Sequence, residues 1–192
     1  PVAASVLSGT DLENRGVTTV EQLQFAVPSL TVQNSGQGNS FNIRGIGKTE
    51  NNSSIGVGVI TYRDGVAVFP AYFQNEPFYD IQSVEVLRGP QGTFAGQNAT
   101  GGAVFVTQRN PDLNGVGGYL TAQFGNYENI RLQGAINVPI SDTVAARFAF
   151  NRETRDSFFT VLGTPTTTGT PGQFESNSLR ASILWQPTDA LR

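Results

Sequence analysis

The sequence predicts a small α+β domain, a mixed sheet with short helices, followed by antiparallel transmembrane β-barrel strands in a barrel left incomplete. Three observations carry this. The stretch Ile81–Thr107 holds two apolar β-rich runs, Val84–Leu87 and Ala103–Thr107, around a loop dense in glycine. Strand residues on both sides of such a loop read as two paired or neighbouring strands. Beyond Val116, apolar and polar residues alternate in four segments, each about the 9–11 residues a tilted membrane strand requires. No run approaches the ~18 apolar residues of a membrane helix, which excludes a helical membrane protein and leaves a barrel open. The change of pattern places the domains at residues 1–112 and 113–192.

Composition narrows the chemistry. Charged residues are 14% of the 192, against ~25% in ordinary soluble domains. There is no Cys, so disulfides and thiolate metal sites are excluded, and no His, the commonest general base and metal ligand. Neither a Ser-His-Asp nor a Cys-His mechanism can be built from this chain. Its Asp and Glu residues are scattered with no pair singled out, so we expect no enzyme, no catalytic residue, no metal site and no cofactor. A net charge of −3 argues against a nucleic-acid partner, which needs a basic surface.

The elements follow in order. Residues 1–7 alternate weakly as a short strand. Ser8 caps a short helix around Thr10–Arg15 that Gly16 ends. Thr19 and Gln22 fit a capping box, and Val20, Leu23 and Val27 form the apolar face of a second helix. Pro28 stops it, and Leu30–Gln33 reads as a strand. Phe41, Ile43 and Gly45 share one face of the next strand, with Asn42 and Arg44 on the other. Lys48–Ser54 is a polar loop. Ile55, Val57, Val59 and Thr61 alternate up to Asp64-Gly65, a hairpin turn, before Val66 and Val68. Phe69–Phe78 crowds aromatics and prolines too irregularly for a strand.

In the second half, Leu120, Ala122 and Phe124 alternate with Thr121 and Gln123. Ile130, Leu132, Ile136 and Val138 alternate with Arg131, Gln133 and Asn137. Val144, Ala146, Phe148 and Phe150 alternate with Ala145, Arg147 and Asn151, and Leu179, Ala181, Ile183 and Trp185 with Arg180 and Ser182. The connections Gly125–Glu128 and Pro139–Asp142 are short, while Glu153–Asn177 is long and rich in Thr, Gly and Pro. Four strands cannot close a barrel, and an open sheet with an apolar face is an aggregation hazard in water. With no Met and no positive start, the sequence reads as a fragment of a longer chain.

The run Val84-Glu85-Val86-Leu87-Arg88-Gly89-Pro90-Gln91-Gly92, followed by Asn98-Ala99-Thr100-Gly101-Gly102-Ala103-Val104, resembles the plug-domain signature of TonB-dependent outer-membrane receptors. Phe41-Asn42-Ile43-Arg44-Gly45-Ile46-Gly47 is similar to that family's first plug motif. Val6-Leu7-Ser8-Gly9 to Ala26-Val27-Pro28-Ser29-Leu30 is similar to the plug opening. The resemblance covers roughly residues 1–110, in order.

It implies an α+β plug domain followed by the first strands of the barrel that the plug gates, in the bacterial outer membrane and reachable from the periplasm. It also implies active uptake of a scarce ligand, foremost a ferric siderophore. The implied partners are TonB with ExbB-ExbD, an iron-siderophore and outer-membrane lipid. By motif, Arg44, Glu85 and Arg88 match residues that lock plug to barrel, and Gly45, Gly89, Gly92, Gly101 and Gly102 match structural glycines. Lys48, Asn52, Phe69, Tyr72, Phe73 and Gln74 fall on the ligand-facing apical loops, and Phe78 and Tyr79 extend that aromatic set. The glycines do not make a phosphate cradle, since no Gly-Lys-Ser/Thr is present. The TonB box is expected to lie outside these 192 residues. The alternative is a soluble plug-like or β-rich binding or adhesion module, which requires residues 115–192 to form a sheet covered on both faces.

Overall fold

The computed structural model describes residues 3–34, 38–47, 57–68, 76–96, 98–160, 162 and 171–188. The chain divides into two compact units, Pro1–Arg109 and Asn110–Arg192. No helix among the described residues is long and apolar enough to cross a membrane.

The first unit opens with strand β1 (Ala3–Ser8) and helix α1 (Gly9–Asn14). Ser8 caps α1 with a full capping box: its hydroxyl accepts from Asp11 N–H, and the Asp11 carboxylate accepts from Ser8 N–H at 2.9 Å. Gly16, at φ +65, turns the chain out of the helix. Helix α2 is short (Leu23–Ala26) because residues 19–22 form a turn instead of its first coil. Gln22 Oε1 reaches back to the Thr18 and Thr19 N–H groups at 2.6 and 3.1 Å, the expected reach of a capping-box glutamine.

Strands β2 (Leu30–Asn34), β3 (Asn39–Ile43) and β4 (Ile46–Gly47) make an antiparallel three-stranded sheet. Strands β5 (Val59–Arg63), β6 (Val66–Val68), β7 (Ile81–Arg88) and β8 (Gly102–Gln108) join β1 in a five-stranded sheet ordered β1-β7-β8-β5-β6. The two apolar runs that flank the glycine loop are thus an antiparallel pair, with Val84 opposite Val106 and Val86 opposite Val104. The β5–β8 pairing is parallel, which makes the sheet mixed. The turn Asp64-Gly65, at φ +47 and +80, closes the predicted hairpin.

Both faces of this sheet are covered. On one, Leu7, Val84, Val86, Val104 and Val59 pack with Leu12, Leu23, Phe41 and Ile43. On the other, Ile60 and Ala103 pack with Ala95, from helix α3 (Gly92–Ala95), and with Ala99. There Tyr62 stacks on Phe105 at 5.1 Å and donates its hydroxyl to the Ala95 carbonyl at 2.8 Å. A central strand buried on both sides reads as a continuous apolar run, which is why alternation located β5 only in part.

The second unit is one antiparallel sheet ordered β12-β11-β10-β9, from β9 (Gly117–Gly125), β10 (Asn129–Ser141), β11 (Val144–Arg155) and β12 (Phe174–Trp185). The register puts the predicted apolar set on one face: Ile136 lies opposite Phe148 and Phe148 opposite Ala181. That face is open, with Phe124 79%, Leu179 86% and Ile183 76% exposed. The other face is polar and buried, holding Arg131, Gln133, Asn137, Arg147 and Asn151. Arg131 donates to Asn151 Oδ1 at 2.9 Å and Gln133 Oε1 at 3.1 Å. The sheet covered on both faces that a soluble module requires is therefore not what the chain forms.

Candidate functional site

The two Arg-Gly motifs, far apart in sequence, converge on one pair of glycines. Gly102 pairs with Arg88 in the β7–β8 register, and Gly89 N–H donates to the Gly101 carbonyl at 2.9 Å. On the other side, a Cβ at Gly101 would lie 2.8 Å from Ile46 Cβ, and one at Gly102 would lie 2.7 Å from Ile43 Cδ1. Ile43 and Ile46 bracket Arg44-Gly45. Only residues without side chains let the β3–β4 hairpin approach the start of β8 so closely.

Arg44 is not a strand residue facing opposite Ile43, as alternation suggested. With Gly45 it forms a two-residue hairpin turn, Arg44 at φ +54 and Gly45 at φ +80, between the paired Ile43 and Ile46. Such a turn needs positive φ at both central positions. The turn leaves the Arg44 side chain exposed, and its N–H donates to the Ser29 carbonyl at 3.0 Å. Arg88 ends β7 half-buried. Its Nη2 donates to Ser5 Oγ on β1 at 2.7 Å, and its buried Nε has no acceptor among the described residues. Glu85 is half-buried between Val6 and Phe105 in register.

The expected glycines separate by physical role. Gly45 and Gly89 (φ +91) serve backbone conformation with open space around them, and Gly101 and Gly102 serve close approach. Gly92, at the start of α3, meets nothing within 4 Å and shows neither demand. Lys48, Asn52, Phe69, Tyr72, Phe73 and Gln74 lie outside the described residues. Phe78 and Tyr79, taken with them as ligand-facing aromatics, are instead 4% and 3% exposed, and Phe78 belongs to the main core. Among the described residues no group of three or more His, Cys, Asp or Glu gathers to hold a metal.

A further cluster escaped the sequence reading. Where β11 ends and β12 begins, the Arg155 guanidinium lies 5.6 Å from the Phe158 ring centroid and 6.0 Å from that of Phe174. Phe158 packs on Phe159 at 4.3 Å and meets Tyr127 edge-on at 6.1 Å. Asp156 N–H donates to the Tyr127 carbonyl at 2.7 Å, and Ser157 Oγ donates to the Pro171 carbonyl, pinning the base of the long connection. Its signal in sequence was Phe158-Phe159 beside Arg155, hidden within a segment that composition marked as polar loop.

The family model described as the TonB-dependent Receptor Plug Domain matches residues 1–103. The chain belongs to the TonB-dependent receptors. These are proteins of the bacterial outer membrane, and the chain carries their plug domain followed by antiparallel strands. The pesticin receptor of Yersinia pestis is 32% identical over 145 residues, 73% of this chain and 21% of that protein. The ferrioxamine B receptor of Salmonella typhimurium is 26% identical across 100% of this chain and 26% of its own length. The crystal structure of the ferric yersiniabactin uptake receptor FyuA from Yersinia pestis superposes with a TM-score of 0.85 at 26% identity, over 98% of this chain and 29% of that one. The receptor chain thus spans about a fifth to a quarter of the curated relatives it matches. Both of those relatives are named as receptors.

Proposed function

We propose that residues 1–112 are the plug and 113–192 the first barrel strands of a receptor that takes up a ferric siderophore across the outer membrane. What supports this most is the sheet β9–β12, apolar and open on one face and polar on the other, directly following a plug-domain sequence. A membrane barrel needs that division, lipid outside and a polar lumen inside. The names of two relatives, a ferrioxamine B receptor and a ferric yersiniabactin uptake receptor, point to iron chelates as cargo.

In this reading the remaining strands belong to the rest of the receptor, and the apolar face meets outer-membrane lipid. Ligand held at the apical loops, with Lys48, Asn52, Phe69, Tyr72, Phe73 and Gln74 among the contacts, shifts the plug towards a state that TonB engages from the periplasm. ExbB-ExbD supplies the energy. Arg44, Glu85 and Arg88 hold the plug in the pore through charge pairs with barrel side chains, because a charge enclosed there is costly without a partner. The receptor transports its ligand and catalyses no reaction.

The test is iron uptake by cells that depend on the full-length receptor, with and without TonB. TonB-dependent uptake from a ferric chelate is expected, and reversal of both arginines (Arg44→Glu with Arg88→Glu) is expected to reduce it at equal receptor abundance. Uptake unchanged by the double reversal overturns the locking role. Absence of TonB-dependent uptake from every ferric chelate class overturns transport.

A further inference from the structure

Register places Arg155 on the polar face of the second sheet. It shares parity with Arg147, Asn151 and Glu153 along β11, and Phe174 lies directly opposite it on β12. Phe174 is therefore not part of the lipid-facing band, which belongs to the other face, and Phe158, with Phe159 and Tyr127 against it, gathers at the same guanidinium. They are nonetheless large apolar groups left open: Tyr127 56%, Phe158 49%, Phe159 56% and Phe174 40% exposed. Among the described residues the Arg155 side chain makes no hydrogen bond or ion pair, and its Nε is closed off from solvent without an acceptor. Two of the nearby carboxylates, Glu175 and Glu153, are engaged elsewhere. Glu175 pairs with Arg152 at 3.7 Å, and Glu153 accepts from Asn129 at 3.2 Å and faces Arg131 at 4.0 Å.

We infer that Tyr127, Arg155, Phe158 and Phe174 form a binding site for a planar aromatic anion of the catecholate or phenolate kind, free or as its ferric chelate. A guanidinium set among ring faces attracts a second planar system by stacking, and its donors take charged oxygens in a fork that an ammonium cannot reproduce. A neutral hydroxamate chelate offers neither the ring nor the charge. The site deepens the uptake reading and rests on it, because the long β11–β12 connection faces incoming ligand only if it lies on the outer side. The base of that connection is pinned by Ser157, so the site is preformed by the described residues and does not wait on a loop to close.

The test uses the full-length receptor in detergent, titrated calorimetrically with 2,3-dihydroxybenzoate, with its ferric chelate, with a ferric trihydroxamate and with inorganic phosphate. The catecholate probes are expected to bind in preference to phosphate. Arg155→Gln is expected to weaken them about tenfold or more, with Arg155→Lys only partly restoring affinity. Arg152→Gln, on the other face, is expected to change nothing. Phe158→Leu gives a second, exposed variant that keeps the fold, verified by heat-modifiable electrophoretic mobility, and is expected to weaken the same probes. Equal catecholate affinity in wild type, Arg155→Gln and Phe158→Leu overturns the site, as does phosphate binding equal to catecholate. Iron uptake from the trihydroxamate without catecholate affinity also overturns the site and leaves transport standing. Arg155-dependent catecholate binding without TonB-dependent uptake supports the site and removes transport.

Discussion

An added methyl group at Gly102 would overlap the Leu87 carbonyl oxygen and come within 2.7 Å of Ile43 Cδ1, on a backbone at φ +152. Gly102→Ala is therefore expected to cost about 3 kcal/mol, since backbone on one side and a core side chain on the other leave little room to yield. Gly89→Ala meets only its conformational penalty in open space and is expected to cost about 1–2 kcal/mol. Chemical unfolding of the receptor's plug, followed by protease susceptibility, ranks the two; equal losses would contradict the division. Glu21 gives a pH test. Its partial burial raises the carboxyl pKa, but the hydrogen bonds from the Asn39 amide (2.7 Å), its own backbone, the Thr19 hydroxyl and the Asn34 amide outweigh that and hold it below 4.5. A lowered folded-state value adds stability that is complete above about pH 4.5 and is lost as pH falls through the folded value. Glu21→Gln is expected to flatten the plug's stability profile over that acid range while leaving a smaller difference from wild type at low pH than at pH 7.

Helix α2 shows what holds a short element in place. Four residues with no side-chain cap at Gln22 are too few to be helical on their own account. Leu23, fully buried against the core, anchors it, while Phe25 on the same helix is 84% exposed. Leu23→Ala is expected to destabilise the plug by about 2–5 kcal/mol and to release α2, seen as faster amide exchange at residues 23–27. Phe25→Ala is expected to stay within about 0.5 kcal/mol. Strands β10 and β11 are held differently: on their polar face Arg131 of β10 donates to Asn151 of β11, and Asn137 ties β10 to the preceding segment by donating to the Asp112 and Gly115 carbonyls at 3.0 and 2.9 Å. Local alternation was enough to find these strands, because each has one polar and one apolar face. For β5, buried on both, alternation found Val59 and Thr61 but did not show that Ile60 between them is core as well.

For the whole receptor, the open apolar face of β9–β12 decides the solvent. A sheet with Leu120, Phe124, Leu179 and Ile183 all well exposed is stable only against an apolar phase. Leu179→Arg, in mid-strand, is expected to cost about 2–4 kcal/mol in a bilayer and to lower the heat-modifiable fraction of receptor in outer-membrane preparations. A variant that assembles as well as wild type would mean that Leu179 faces the lumen or another protein surface. Without detergent the 192-residue chain is expected to aggregate through this face.

Local spacing and contiguous motifs were enough to specify the capped helix at Ser8, the Asp64-Gly65 hairpin, the two strands β7 and β8 around the glycine loop, the four alternating strands and the plug-domain family. They were not enough to show that Arg44 occupies a turn, that β5 runs parallel to β8, or that Phe78 and Tyr79 are core. Nor did they divide the glycines into conformational and close-approach roles, or gather Arg155 with Tyr127, Phe158 and Phe174. Those features emerged only once the chain was folded, and they share one cause. Alternation and caps report how a segment meets its immediate surroundings, whereas the room for a Cβ, a parallel pairing or a cation among rings is set by residues distant in the chain.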